Sequence, residues 1–180
     1  MSEAELIKRC GKGSVSAQHH LYELFADQLF RVAFRYVRDQ SEAEDITIVS
    51  FTKIFDRIFK FENRHEGSLF AWMRKIVVNE ALMVLRKRHN FNLVEALDDS
   101  IPVPDLSAFQ HLDAEYIYTL LLELPPGYRT VFSLYVIEGY DHQEIGEMLG
   151  ISANTSRTQL FKAKTVLKKK IENGNDLYGT

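Results

Sequence analysis

From Leu21 to Val37, apolar residues return every three or four positions: Leu21, Leu24, Phe25, Leu29, Val32, Ala33 and Tyr36. That is the period of an amphipathic helix, whose stripe has to be covered by neighbouring elements. After a polar step, Ser41 with Glu44 three residues on has the spacing of a capping box, and Glu42 and Asp45 suit the positive end of a helix. The helix opened there is expected to run to about Lys60 and to bury Ile46, Val49, Ile54 and Ile58. The polar run at 62–67 interrupts the pattern. Ser68 is then placed to cap a further helix, which carries Leu69, Trp72, Met73, Ile76, Val77, Val84 and Leu85 as far as Arg88. With a short helix near Ala4–Arg9, these segments make an N-terminal bundle. Periodicity fades between about 90 and 113, where the chain reads DDS and IPVP, and returns over Ala114–Leu124 and Tyr128–Glu138. The expected fold is all-α: two small helical domains, 1–89 and 113–180, joined by a flexible acidic linker at 90–112.

Composition leaves this picture unchanged. The 180 residues include only 9 glycines and 4 prolines, which disfavours a fold of short strands and turns. No apolar run approaches the roughly 18 residues that span a bilayer. The N-terminus, MSEAELIKRC, lacks the basic and apolar segments of a signal peptide, so a cytoplasmic protein without direct membrane insertion is expected. Cys10 is the only cysteine and is read as a small apolar residue of the first helix. Neither an intramolecular disulfide nor a cysteine cluster for zinc can be built on it. The six histidines show no metal-ligand spacing. No phosphate-binding glycine loop, nucleophile elbow or paired-carboxylate site is present. Neither enzymatic activity nor a metal or cofactor is expected.

Charge does change the picture. The net charge of −3 argues against a nucleic-acid partner until its distribution is considered. Between Ile151 and Ile171 stand Arg157, Lys162, Lys164, Lys168, Lys169 and Lys170 with no acid. Between Trp72 and His89 stand Arg74, Lys75, Arg86, Lys87 and Arg88 against Glu80 alone. Between these patches, Phe91–Pro126 holds Glu95, Asp98, Asp99, Asp105, Asp113, Glu115 and Glu123 with neither Lys nor Arg. Two basic surfaces are averaged away by an acidic stretch.

The C-terminal patch has an organised shape. From Tyr140 the chain reads GYDHQEIGEMLGISANTSRTQLFKAKTVLKKKI. Asp141 can cap a short helix containing Ile145, Met148 and Leu149, and Gly150 supplies the left-handed residue that ends it. Ile151 can plug the angle between two helices, and Ser152 can cap the next. There Leu160, Ala163 and Leu167 form an apolar back, opposite Arg157, Thr158, Phe161, Lys162 and Thr165. This is the form of a helix-turn-helix with a cationic recognition helix. Phe161 is notable, because an aromatic ring on the polar face is costly in water unless a partner covers it.

Three stretches together resemble one family: SEAEDITIVSFTKIFDRI, GSLFAWMRKIVVNEALMVLRKR and LPPGYRTVFSLYVIEGYDHQEIGEMLGISANTSRTQLFKAKTVLKK. They are similar to the extracytoplasmic function (ECF) sigma factors of the sigma-70 family. The resemblance implies an N-terminal domain that binds the clamp of the bacterial RNA polymerase core and opens the promoter −10 element. It implies a C-terminal domain that reads the −35 element. On that basis Arg157, Thr158, Phe161 and Lys162, with Asn154 and Lys164, would meet −35 DNA. Asn79, with Arg74, Lys75 and Arg86, would meet the −10 region, and Asn63, Arg64 and His65 lie in the loop that captures a flipped base. Asp45, Ile48, Val49 and Thr52 would face the clamp. The resemblance also implies an anti-sigma factor, often membrane-anchored. Two positions depart from the family: Ile48 and Val49 replace a usual Gln-Glu pair, and Met83 replaces a usual Asp. Two other readings stay open: a free-standing regulator using the same helix-turn-helix, and a decoy that titrates an anti-sigma protein.

Overall fold

The computed structural model describes residues 2–63, 65, 67–88 and 113–178, excepting the side chains of 174–178. Arg64 and the expected 90–112 linker lie outside the described residues. All regular structure among the described residues is helical. The chain divides into two compact units near Leu85–Arg86.

The first unit contains α1 (Glu3–Gly11), α2 (Val15–Val37), α3 (Gln40–Arg57), a single 3-10 turn (Ile58–Lys60) and α4 (Ser68–Arg88) as far as Leu85. Helix α2 begins six residues before the expected start, because Ser14 caps it by accepting from the Ala17 amide. It ends on Arg38, a non-glycine residue in the left-handed region at φ 53°, which costs about 1–2 kcal/mol. One residue later Asp39, not Ser41, caps α3, its carboxylate accepting from the Glu42 amide at 2.9 Å. Glu44, expected to return to a cap amide, instead accepts from the Gln40 side chain. Ser68 is likewise the first residue of α4 and not its cap; its hydroxyl donates to Asn63 Oδ1.

The core of this unit is assembled from Leu21, Leu29, Ala33 and Tyr36 of α2, Ile46 and Ile54 of α3, and Leu69, Met73, Val77, Leu82 and Leu85 of α4. Cys10 and Leu6 anchor α1 against them. Burial raises the Cys10 thiol pKa, as suits a packed apolar residue. Val49 is a correction to the expected core. The buried positions of α3 are Ala43, Ile46, Thr47, Ser50, Phe51 and Ile54, which leaves Val49 on the opposite, solvated side of the helix. Between α3 and α4, Lys53 pairs with the largely enclosed Glu80 at 2.6 Å.

The second unit contains α5 (Ala114–Leu122), α6 (Pro126–Phe132), a π-helical turn (Ser133–Ile137), α7 (His142–Leu149) and α8 (Ala153–Tyr178). Asp113 caps α5. Helix α6 starts at Pro126, two residues before the expected start, because proline at a first helical position gives up an amide that has no partner there. Leu121, Leu124, Val131, Leu134, Ile145, Leu160, Ala163 and Leu167 form its core. The core also carries polar groups, Arg129, Thr130, Ser133, Ser156 and Gln159; the Arg129 guanidinium donates to the Leu124 carbonyl.

Candidate nucleic-acid and protein interfaces

The turn between α7 and α8 is fixed from both sides. Asp141 Oδ1 accepts from the Gln143 and Glu144 amides, and Glu144 returns to the Asp141 amide, each at 2.8 Å, so the capping box is complete. Gly150 ends α7 at φ 70°. The Ile151 amide then donates back to the Gly146 carbonyl, and Ile151 is buried at the corner. A Cβ on Gly146 would stand only 2.8 Å from the Ile151 carbonyl oxygen, so this turn is tight enough to require glycine inside α7. Ser152 opens α8 by accepting from the Thr155 amide at 2.9 Å.

Helix α8 turns Leu160, Ala163, Leu167 and Ile171 inward. On its outer side Asn154 and Arg157 are exposed, Phe161 and Lys164 half-buried, and Lys168 exposed. Their steps of three and four residues place them in one column. Lys162 is half-buried and sits beside that column. Thr158 is a correction: it is 3% exposed. One residue is a 100° step around the helix, and that step takes Thr158 away from the face of Arg157 towards the side of Gln159, which is also buried. Close to Arg157, the His142 ring stacks on Tyr135 at 4.5 Å between centroids, and its Nδ1 lies 2.9 Å from Ser156 Oγ.

A second polar column runs along α4. Lys75, Asn79, Met83 and Arg86 are all exposed at helical spacing, and Arg74 is half-buried beside them. Ahead of α4 the chain forms a concave site of about 530 Å³ lined by Lys60, Phe61, Glu62, His65, Ser68, Trp72 and Lys75, among others. Phe61 and Trp72 make a tilted aromatic pair there at 5.1 Å. Both are half-buried and form part of this wall. Phe59, by contrast, is exposed, with Lys60 Nζ over its ring. His65 of the loop and Lys75 of α4 therefore line one cavity. Asn63 is not among the cavity's lining residues: its amide donates to Glu3 and accepts from Ser68, so it holds the loop between α1 and α4.

A third surface lies along α3. Asp45, Ile48, Val49 and Thr52 are all exposed, Ile48 at 58%. Thr52 spends its hydroxyl on the Ile48 carbonyl. Beside Ile48 a groove of about 480 Å³ runs against α2, lined by Tyr22, Phe30, Glu44 and Thr47, among others. The described residues contain no cluster of side chains able to hold a metal ion. None of their helices is long and apolar enough to cross a membrane.

These surfaces fall within two family matches. Residues 21–91 match Sigma-70 region 2, and residues 114–167 match Sigma-70, region 4. The ECF RNA polymerase sigma factor SigE of Mycolicibacterium smegmatis is 30% identical over 79% of this chain, which spans 57% of that protein's length. RNA polymerase sigma factor SigV of Bacillus subtilis is 29% identical over 77% of this chain and 81% of its own. ECF RNA polymerase sigma factor SigW of Bacillus subtilis is 25% identical over 92% and 94%. The chain belongs to the ECF group of the sigma-70 family. Its fold agrees: a structure of CnrH in complex with the cytosolic domain of CnrY aligns at a TM-score of 0.50, covering 93% of this chain and 96% of that one at 18% identity. Within this sigma factor, the column on α8 and the turn before it belong to region 4. The α3 surface, the cavity and the α4 column belong to region 2.

Proposed function

We propose that this ECF sigma factor recognises promoters at two points while held by the polymerase core. Helix α8 lies in the major groove of the −35 element, with Asn154, Arg157, Phe161 and Lys164 facing the DNA. Thr158 has no part in it. Arg157 has the reach and charge for a bidentate contact with a guanine edge, and Lys168 is placed for backbone phosphate. The α4 column takes the −10 region, and the cavity bounded by Phe61, Trp72, His65 and Lys75 accepts a base extruded from the stack. Extrusion costs a few kcal/mol, which stacking and hydrogen bonding inside such a pocket can offset. Asp45, Ile48, Val49 and Thr52 face the polymerase clamp.

One observation carries this reading: cationic and aromatic residues converge on two separate exposed surfaces, one suited to duplex and one to an unstacked strand. The chain contributes recognition, and the polymerase contributes the chemistry. An anti-sigma factor that covers these surfaces fits the exposed apolar stripe on α3, and CnrH is known in complex with a partner's cytosolic domain. A cytoplasmic location suits such a role.

Run-off transcription with purified core polymerase on genomic fragments tests the proposal. Transcripts whose start sites share a pair of upstream elements are expected. A chain that adds no transcript to core alone is a decoy, and one that footprints DNA without polymerase at physiological salt is a free-standing regulator.

A further inference from the structure

Helices α7 and α8 touch at their first turns through a pair of polar side chains. His142 is the first residue of α7, and Ser156 lies in the first turn of α8, completely buried and immediately before Arg157. Nδ1 of the imidazole and Oγ of the serine are 2.9 Å apart. On the other side the ring lies nearly flat against Tyr135 of the π-helical turn, 4.5 Å away at 20°. The imidazole is thus fixed by one stack and one hydrogen bond, and the element it holds is the turn that presents Arg157.

We propose that His142 is a positioning residue for −35 recognition: through Ser156 it sets the approach of the first turn of α8, and so the direction in which Arg157 reaches a base edge. The proposal rests on the reading of α8 as the −35 helix. A hydrogen bond between two polar groups in this setting is worth about 0.5–1.5 kcal/mol, or about two- to tenfold in an equilibrium. Small misplacements of a bidentate donor act on discrimination more than on total affinity, because phosphate contacts supply the sequence-independent share.

The site also binds protons in a way a purely structural contact would not. Burial foremost, then the charges of Arg157 and Lys164, hold the imidazole below its ordinary pKa, against an opposing pull from Asp141. Arg157 and Lys164 face it from α8 and Asp141 from the cap of its own helix, while the turn contributes the Tyr135 ring. Phosphates docked beside Arg157 and Lys164 offset their charge, so the pKa of His142 is higher in the complex than in the free protein. A group whose pKa rises on binding takes up a proton, so affinity increases as pH falls through the interval between the two values. The imidazolium can still donate from Nδ1 to Ser156 Oγ, so protonation preserves the pairing.

The test compares holoenzymes carrying the unsubstituted chain, His142→Phe, Ser156→Ala and the double variant. Each is titrated with a mapped promoter duplex and with the same duplex scrambled at −35, from pH 5.5 to 8. His142→Phe keeps the stack on Tyr135 and loses the hydrogen bond and the titration. Ser156→Ala is a minimal truncation that preserves the fold should the phenylalanine disturb it. Each single variant is expected to lose about two- to tenfold in discrimination, with the double variant no worse than either. The unsubstituted holoenzyme should bind more tightly towards low pH, and His142→Phe should flatten that slope. Unchanged discrimination in both single variants, or a slope that survives His142→Phe, overturns the proposal. An unsubstituted holoenzyme indifferent to the −35 scramble overturns instead the −35 reading beneath it.

Discussion

Arg157 and Lys168 stand in the same column of α8, but on the proposed reading they meet different parts of the DNA. If Arg157 reads a base edge, Arg157→Ala should cost about 1–3 kcal/mol at the preferred −35 element and erase the preference at one position. Lys168→Ala should weaken every duplex alike and lower the slope of log affinity against log salt by about one. Titrations of holoenzyme on matched and scrambled duplexes at several salt concentrations distinguish the two. The charged members of this column were legible in the sequence, because a charge is exposed unless paired. Thr158 and Val49 were not. Threonine suits a seam as well as a surface, and Thr158 lies opposite the Leu160–Leu167 stripe, so its burial comes from packing that the stripe does not signal. Valine fits the helical period of α3, but the stripe had already been filled by Ile46, Ser50 and Ile54. For such residues, burial follows from which neighbour arrives, which the local pattern does not encode.

Helix α3 exposes Ile48 and Val49 beside Asp45, an apolar surface with a charged edge. Full burial of an isoleucine side chain contributes about 1.5–3 kcal/mol, so Ile48→Asp should weaken core binding by about tenfold or more. Its exposure in the free protein predicts an unchanged melting temperature, and measuring both quantities separates a lost interface from a lost fold. The turn between α7 and α8 makes the opposite kind of prediction. Gly146→Ala forces a Cβ against the Ile151 carbonyl, and the second unit should melt at lower temperature even without DNA, as followed by circular dichroism. Gly150 was readable in advance, since a glycine after a periodic segment marks a left-handed helix end. Gly146 was not, because its constraint comes from the chain folding back on the helix. The caps divide the same way. Asp141 and Ser152 were read correctly because each directly precedes its helix. Asp39 was passed over for Ser41, because a rare left-handed Arg38 let α3 begin two residues sooner than the capping-box spacing suggested.

At the scale of the molecule, the α4 and α8 surfaces meet different forms of DNA on the proposed reading. The basic patches at 72–89 and 151–171 are carried by different helices, α4 and α8, although the net charge of −3 hides both. Their separation was legible because charge was read by segment. The concave site before α4 was less so. Phe61 and Trp72 carry no sequence mark that distinguishes a cavity wall from a core, and only the loop's return beside α4 brings them to His65 and Lys75. Initiation is expected to require both surfaces at once, and transcription from a mapped promoter with purified core polymerase is the test. The unsubstituted chain should produce a specific transcript. Arg157→Ala should reduce it, with recovery when the −35 element is altered to suit. Trp72→Ala should reduce it even on that altered promoter, with recovery on a template already unpaired at −10. No specific transcript from the unsubstituted chain, or full output from both variants on the native promoter, would contradict the account.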